Sequence, residues 1–358
     1  MKVFRRKSLL LLATAAVTMT LLGSAEAKSL RLLTWGGYAP KDVVDDFKKE
    51  TGIDVEVTLS NNEEMISKLR ATGGGGFDLA QPSQDRITGP QEQFKIYKPI
   101  DMTKVETAKF IPSMLEATKK NTTVGGKVYG LPHIWGTDGL VVDTDKAKGV
   151  MDFTDLCKPE YAGKVSYRLK RPTLIGFAFA MGLDPFKAYN DPKAYEAMMT
   201  KVGDSLIACK KNVKVYWDGS DSLLGLVRSG EVIAAMAWDT GGWKLNTENP
   251  QINYRAPKSG ALGWVDTFAI PAGGENDDAA YKWINFVMRP DIAARIVASA
   301  GNFTASQGSS EKVQGKIKDQ FAASFPKEVM EKINWYPPVP AGLEAIEGKI
   351  LDRIKAAN

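Results

Sequence analysis

Histidine and cysteine are scarce in this 358-residue sequence, which has one histidine, His133, and two cysteines. Zinc sites and Ser/His or Cys/His nucleophilic pairs depend on these residue types, so the chain has little material for either. It also has no Gly-x-x-x-x-Gly-Lys-Ser/Thr loop for nucleotide phosphates. We therefore expect no catalytic residue, no metal and no cofactor. The remaining enzymatic alternative is an exported hydrolase with an acid pair such as Asp239 and Asp266.

The N-terminus has the composition of a secretory signal peptide. A basic start, Met1–Lys7, precedes an apolar run from Leu9 to Leu22 and a small-x-small site, Ala25-Glu26-Ala27. The apolar run is too short for a comfortable membrane span, so a retained anchor is the less favoured alternative. We predict that residues 1–27 are removed and that the chain from Lys28 onward is periplasmic.

Strong charge of one sign is also missing. The formal net charge of +5 falls to about +2 after residue 27, because the predicted signal peptide holds four basic residues and one acidic residue. No Lys/Arg-rich block remains that would attract nucleic acid or a membrane surface. We expect a soluble globular protein without a nucleic-acid partner.

Cys157 and Cys209 form an even pair in an exported chain, which favours a disulfide between them. The loop they would close has some fifty residues, for which the chain-entropy relation gives roughly 4 kcal/mol. Two buried free thiols are the alternative.

The pattern after residue 28 predicts alternating strands and helices. Strands at Leu30–Thr34, Ile53–Leu59 and Phe77–Ala80 are separated by helices from Pro40 to Gly52 and from Glu63 to Ala71. This order is typical of a parallel sheet with helices on both faces. Four glycines, Gly73–Gly76, precede a strand and therefore indicate a turn rather than a phosphate site.

The rest of the chain predicts a second α/β unit and two connections back to the first. Two extended segments interrupted by proline or glycine are predicted to cross between the lobes: Val128–Gly136 and Asp266–Pro271. We expect a hinged two-lobe protein with its ligand in the cleft. Further strands are predicted at 164–167, 213–217 and 233–238, and further helices at 173–181, 192–202, 220–228, 277–288 and 290–298.

A candidate site begins with the predicted strand Gly263–Pro271, where Trp264 and Asp266 lie on one face because side chains two apart point the same way. An indole ring and a carboxylate suit an ammonium group, with cation–π attraction of roughly 0.5–2 kcal/mol and a charge-assisted hydrogen bond. A core tryptophan beside a surface aspartate is the alternative. Trp35–Tyr38 and Pro82–Asp85 follow strand ends, where open parallel sheets bind ligands.

The chain resembles the periplasmic solute-binding proteins of ABC importers, in particular the spermidine/putrescine-binding type. The resemblance covers nearly all residues after the predicted signal peptide. Its segments, in order, are Trp35-Gly-Gly-Tyr38, Glu50-Thr-Gly-Ile53, Phe77-Asp-Leu-Ala-Gln-Pro-Ser83, Leu131-Pro-His-Ile-Trp-Gly136, Leu156-Cys-Lys-Pro-Glu-Tyr161, Trp264-Val-Asp266 and Asn285-Phe-Val-Met-Arg-Pro-Asp291.

The resemblance implies a type II periplasmic-binding-protein fold, in which each lobe is a mixed, mostly parallel sheet flanked by helices and crossover strands form the hinge. It implies a monomer that passes its ligand to membrane permease subunits. We expect one lobe from residues 28–138 and 268–306 and the other from 139–267 and 307–358. It also implies ligand contacts from Trp35, Tyr38, Ser83, Trp238, Trp264 and Asp266, with Phe303 and Tyr336 near positions of an aromatic and a polar contact.

One departure from the family pattern concerns the ligand. Where polyamine binders carry an acid pair after the first strand of the second lobe, this chain has Arg168, Lys170 and Arg171. These bases would repel a diamine, whereas a zwitterion could place its ammonium on Asp266 and its carboxylate on Arg168 or Arg171. We predict a receptor for a zwitterionic ω-amino acid, such as γ-aminobutyrate, or an opine-like compound.

Two other ligand classes remain as alternatives. If the three bases point to solvent, the spare acids Asp85 and Asp239 could restore polyamine binding. An iron-binding protein of similar shape would need a cluster of tyrosines or a histidine near the cleft, and the sequence has no adjacent tyrosine pair.

Overall fold

The computed structural model describes residues 29–357, so the predicted signal peptide lies outside the described residues. The strands are β1 (Ser29–Thr34), β2 (Asp54–Leu59), β3 (Leu79–Ala80), β4 (Tyr97–Lys98), β5 (Thr123–Val124), β6 (Lys127–Val128), β7 (Leu131–Asp143), β8 (Val165–Tyr167), β9 (Val213–Tyr216), β10 (Ala234–Trp238), β11 (Ile252–Arg255), β12 (Leu262–Phe268), β13 (Ile270–Pro271), β14 (Phe303–Thr304) and β15 (Asn334–Trp335).

Helices surround these strands. They are α1 (Lys41–Thr51), α2 (Asn62–Ala71), α3 (Thr88–Phe94), α4 (Pro112–Asn121), α5 (Arg171–Ala180), α6 (Pro192–Cys209), α7 (Ser220–Arg228), α8 (Asp239–Glu248), α9 (Asp277–Val287), α10 (Pro290–Ala300), α11 (Ser309–Lys312), α12 (Lys316–Ser324), α13 (Lys327–Met330) and α14 (Leu343–Ala356). Within residues 29–357, none of these helices has the length and hydrophobicity to cross a bilayer.

The first lobe is built on the predicted parallel sheet, with strand order β2-β1-β3. Helix α1 covers it because Val43 and Phe47, one turn apart, point inward and are buried. The ring centroids of Phe47 and Trp283 are 5.1 Å apart, which ties α1 to α9 in one core. Gly52 ends α1 with a left-handed φ of 71°, a conformation that glycine adopts without steric cost.

The second lobe contains a larger mixed sheet, with strand order β15-β12-β7-β10-β8-β9. Strands β8, β9 and β10 are parallel, whereas β10 pairs with β7 antiparallel. Helices α5 and α6 pack on it through a core that includes Phe177 and Tyr195. A disulfide joins Cys157 to Cys209, the last residue of α6.

Two antiparallel strands, β7 and β12, pass through both lobes. In β7, Leu131 belongs to the core of the first lobe and Leu140 to that of the second. In β12, Leu262 lies in the second core and Phe268 in the first. This confirms the predicted crossovers between two lobes, while the residue boundaries at 138/139 and 267/268 stay a prediction.

Local differences from the sequence prediction have identifiable causes. The third strand is limited to β3, and Asp78, predicted inside it, precedes the strand and accepts side-chain hydrogen bonds from Arg31. The strand predicted over Gly263–Pro271 ends at Phe268, after an irregularity between Asp266 and Thr267. Helices α3, α4, α8 and α11–α14 were not predicted, although Leu343, Ile346, Ile350 and Ile354 of α14 recur at helical spacing.

The disulfide makes a testable contribution to stability. The double substitution Cys157→Ser with Cys209→Ser should lower the free energy of unfolding by roughly 2–4 kcal/mol, because the unfolded chain regains a loop of about fifty residues. Urea unfolding would measure the loss. A reducing agent should reproduce it in the wild type and change nothing in the variant; equal stability of both proteins would contradict the prediction.

Candidate ligand-binding site

A cavity of about 740 Å³ lies where the two lobes face each other. Both crossing strands contribute to its wall, together with the loops after β1 and β3 and the segment before α5. Of the residues predicted from the sequence, ten line this cavity: Trp35, Tyr38, Ser83, Asp85, Arg168, Arg171, Trp238, Trp264, Asp266 and Tyr336. Asp239 and Phe303 do not.

Asp266 is the acceptor group at the first-lobe side of the cavity. Its two carboxylate oxygens accept hydrogen bonds of 2.6 Å from the Tyr38 and Ser83 hydroxyls. Burial raises the pKa of Asp266 to about 7, although both hydrogen bonds act in the opposite direction. Since a carboxylate has about four acceptor positions, Asp266 retains capacity for an ammonium group, whose charge would favour the ionised form.

Trp264 forms a wall beside this carboxylate, as the strand alternation predicted. It pairs across the sheet with Gly136, and a Cβ atom at Gly136 would lie 2.5 Å from the Trp264 ring. Glycine at position 136 therefore allows the indole to lie flat over β7. Trp35 is fixed by its own hydrogen bond of 2.8 Å, from Nε1 to the Gln81 carbonyl.

Arg168 brings positive charge into the cavity from the second lobe. Its guanidinium carbon lies 5.3 Å from the ring centroid of Trp217 and 5.0 Å from that of Trp238. The side chain is only 12% exposed, and its Asp218 contact, at 3.7 Å, is with a residue that is 77% exposed. The alternative that Arg168 points to solvent is therefore wrong.

Several donor atoms at the cavity have no hydrogen-bond partner within the described part of the chain. They are Nε of Arg168, Nε1 of Trp264 and the hydroxyl of Tyr336, and all three are buried. A buried donor without a partner costs about 1–3 kcal/mol, so these atoms favour a ligand that carries acceptors.

Arg171 has a different role from the predicted carboxylate clamp. It is 5% exposed, and its Nε and Nη1 donate to Glu347 at 3.0 Å and to Asp85 at 2.9 Å. Its Nη2 donates to the Tyr189 hydroxyl. Arg171 and Asp85 therefore neutralise each other across the two lobes, and neither is free to act as the main ligand group.

The structure corrects the prediction that Asp239 and Phe303 contact the ligand. Asp239 is buried behind the cavity and accepts hydrogen bonds from Thr137, Thr240 and Asn302, so it is not a spare acid for a ligand and shares no site with Asp266. Phe303 pairs with Trp135, whose side chain points away from the face of Gly136. It therefore packs in the core on the far side of the strand.

Asp138 is a cavity residue that the sequence analysis missed. It lies on β7 opposite Leu262, two positions from Gly136, so it faces the same side as Trp264 and Asp266. Four residue steps along the strands separate Asp138 from Asp266, roughly 13 Å. The signal was available, because an acid inside a run of apolar strand residues is unusual.

The described residues contain no group of three or more histidine, cysteine or acidic side chains that could hold a metal ion. Two α/β lobes joined by crossing strands around a small-molecule cavity define the class of type II periplasmic binding proteins.

Comparison with known proteins gives the same class. The sequence is 28% identical, over 94% of this chain and 91% of the relative, to the spermidine/putrescine-binding periplasmic protein 1 of Haemophilus influenzae. The fold is similar to that of a spermidine/putrescine ABC transporter protein from Listeria monocytogenes, with a TM-score of 0.80, 22% identity and coverage of 92% and 100% of the two chains. A γ-aminobutyrate receptor has a TM-score of 0.67, 18% identity and coverage of 92% and 97%.

The chain belongs to the bacterial extracellular solute-binding proteins, whose family model matches residues 42–323. Proteins of this kind bind a small molecule and pass it to membrane permease subunits.

The buried pairing of Arg171 predicts a large loss of stability on substitution. Arg171→Met should cost about 3–5 kcal/mol in urea unfolding without ligand, because it leaves buried Glu347 without an ion pair and buried Asp85 with only Arg86, at 3.9 Å. The matched control is Arg295→Met, whose exposed ion pairs with Asp42 and Asp46 should contribute less than about 1 kcal/mol. Equal losses in the two variants would show that Arg171 is not the buried ion-pair centre described.

The raised pKa of Asp266 predicts a pH dependence. The folded protein holds this proton up to a pKa of about 7, whereas the ordinary value is 3.8, so stability falls as pH rises between these values. Asp266→Asn should therefore gain stability relative to the wild type from about pH 4 to pH 7. Thermal unfolding across this range tests it, with the exposed Asp145→Asn as control; a constant difference would contradict it.

Proposed function

We propose that this protein is a periplasmic receptor for a small zwitterion that carries an ammonium and a carboxylate group, such as γ-aminobutyrate or an opine-like compound. Residues 1–27 would direct export as a cleaved signal peptide, and a monomer would deliver the solute to the permease subunits of its importer. Asp266 would accept the ammonium group, and Arg168 would bind the carboxylate.

The observation that carries this proposal is the presence of both charge signs in one cavity. Asp266 and Arg168 both line it, and within residues 29–357 neither forms an ion pair with a buried counter-ion. The two groups have different surroundings. Asp266 already accepts hydrogen bonds that hold it in place, whereas Nε of Arg168 has no acceptor within residues 29–357. A ligand with one charge of each sign complements both groups.

The aromatic side chains would select the part of the ligand between its charges. Trp35, Trp238 and Trp264 supply apolar surface around the cavity, and Tyr38 joins this wall to the carboxylate of Asp266. Such rings can cover a short methylene chain while the charged ends pair at either side. The fold is compatible with this ligand class, since the γ-aminobutyrate receptor shares it.

Polyamine binding is the second candidate. It is favoured by the relative named for spermidine and putrescine and by a second cavity acid, Asp138. A diamine could then pair with Asp266 and Asp138 at its two ends. Against it, the charge of Arg168 would repel a second ammonium in a cavity where water screens poorly.

Calorimetric titration of residues 28–358 with γ-aminobutyrate and with putrescine separates the two candidates. The wild type should bind γ-aminobutyrate, and Asp266→Asn should weaken binding by roughly 10–150-fold, the equivalent of a charged hydrogen bond. Arg168→Met should weaken γ-aminobutyrate binding by at least about tenfold and should strengthen putrescine binding, because it removes a positive charge.

The matched control is Arg228→Met, which removes an exposed arginine that pairs with Glu248 and does not line the cavity. Its affinity for both compounds should equal that of the wild type. If the wild type binds putrescine alone and Arg168→Met has no effect on either compound, the zwitterion proposal is wrong.

A further inference from the structure

Asp138 differs from the other buried acids of the cavity, Asp85 and Asp266, because its carboxyl group has no partner within residues 29–357. Asp266 accepts two hydroxyl hydrogen bonds and Asp85 pairs with Arg171. The side chain of Asp138 makes no hydrogen bond or ion pair with any residue between 29 and 357, although the residue is only 4% exposed. A buried, unpaired carboxylate is unfavourable, so the group needs either a proton or a ligand.

The surroundings of Asp138 are mixed in charge. Burial is the main reason that the pKa of Asp138 is raised to about 8. The positive charge of Arg168 lowers that pKa, whereas Asp239, Asp266 and Asp85 raise it further. The phenol groups of Tyr336 and Tyr254 also interact with Asp138. In this setting a neutral carboxylic acid is the favoured form at neutral pH.

The neutral carboxyl group of Asp138 would supply a hydrogen-bond donor on a wall of the cavity that already contains other donors. Arg168 Nε and the Tyr336 hydroxyl belong to the same wall and are unpartnered within the described chain. A protonated carboxyl adds one O–H donor to them, while an ionised one has none. Donors on this wall suit a carboxylate, whereas an ammonium group would need acceptors.

We propose that Asp138 is a specificity-determining residue that donates a hydrogen bond, as a neutral acid, to the ligand carboxylate bound by Arg168. This inference rests on the proposed zwitterionic ligand and identifies Asp138 as a group that recognises the ligand carboxylate. The proton stays on Asp138 in the complex. Binding of a zwitterion then requires uptake of a proton wherever free Asp138 is ionised, and binding of a diamine would require its release.

Calorimetric titration of residues 28–358 with γ-aminobutyrate, from about pH 6.5 to pH 9, tests the proposal. The ligand amine stays protonated over this range, since an alkyl amine has a pKa near 10.4. Wild-type affinity should rise up to about pH 7 as Asp266 ionises, and should then fall towards tenfold per pH unit at the upper end, where Asp138 ionises. Putrescine affinity, where measurable, should change in the opposite direction.

Two substitutions at position 138 separate hydrogen bonding from charge. Asp138→Leu keeps the size of the side chain and should weaken γ-aminobutyrate binding at pH 7 by about tenfold, since no donor remains. Asp138→Asn should recover most of that loss through its amide N–H, and its affinity should no longer fall at the upper end of the pH range. Asp145→Asn, at an exposed position outside the cavity, should behave as the wild type, and circular dichroism should show that all variants are folded.

Failure of this inference is distinct from failure of the proposed function. A wild type whose affinity for γ-aminobutyrate does not fall at the upper end of the pH range, or an Asp138→Asn variant that keeps this fall, overturns the role of Asp138 alone. An Asp138→Leu variant with wild-type affinity does so as well. A wild type that binds putrescine and not γ-aminobutyrate overturns the proposed function, and the role of Asp138 with it.

Discussion

The antiparallel pairing of β7 with β12 is the constraint on which the site depends. Because side chains alternate along each strand, one face of this pair directs Asp138, Trp264 and Asp266 into the cavity. The ends of the same strands are anchored in the separate cores of the two lobes. A register shift of one residue would turn every cavity side chain to the opposite face, so the chemistry of the site follows from one hydrogen-bonding register.

The local sequence pattern was sufficient to predict much of the fold and part of the site. The parallel first sheet, the crossovers and the joint placement of Trp264 with Asp266 follow from periodicities of two and 3.6 residues, which short segments express. The roles of Arg171 and Asp239 do not, because their partners lie far away in the chain: Asp85 is 86 positions from Arg171, and Thr137 is 102 positions from Asp239. Only the folded chain shows that these charged groups are already satisfied.

The alternation of side chains along the strands also explains the remaining errors in the predicted site residues. Phe303 was assigned to the cavity by resemblance, but its pairing with Trp135 turns it to the core face. Asp138 was passed over although it continues the series Ile134 and Gly136 on the cavity face. The register of β7 against β12 accounts for Asp138, and that of β14 against β7 accounts for Phe303. The length of α6 and the presence of α8 depended instead on tertiary packing that no short segment reveals.

The ion pairs between the lobes have a consequence for transport. Asp85 and Arg86 of the first lobe contact Arg171 and Glu344 of the second, so part of the free energy of closure comes from the protein itself. A ligand shifts a two-state equilibrium only by its differential affinity for the two states. If the lobes already favour closure without a ligand, a permease that recognises the closed form distinguishes less well between the ligand-bound and the ligand-free receptor. The selectivity of import must then come from a later step.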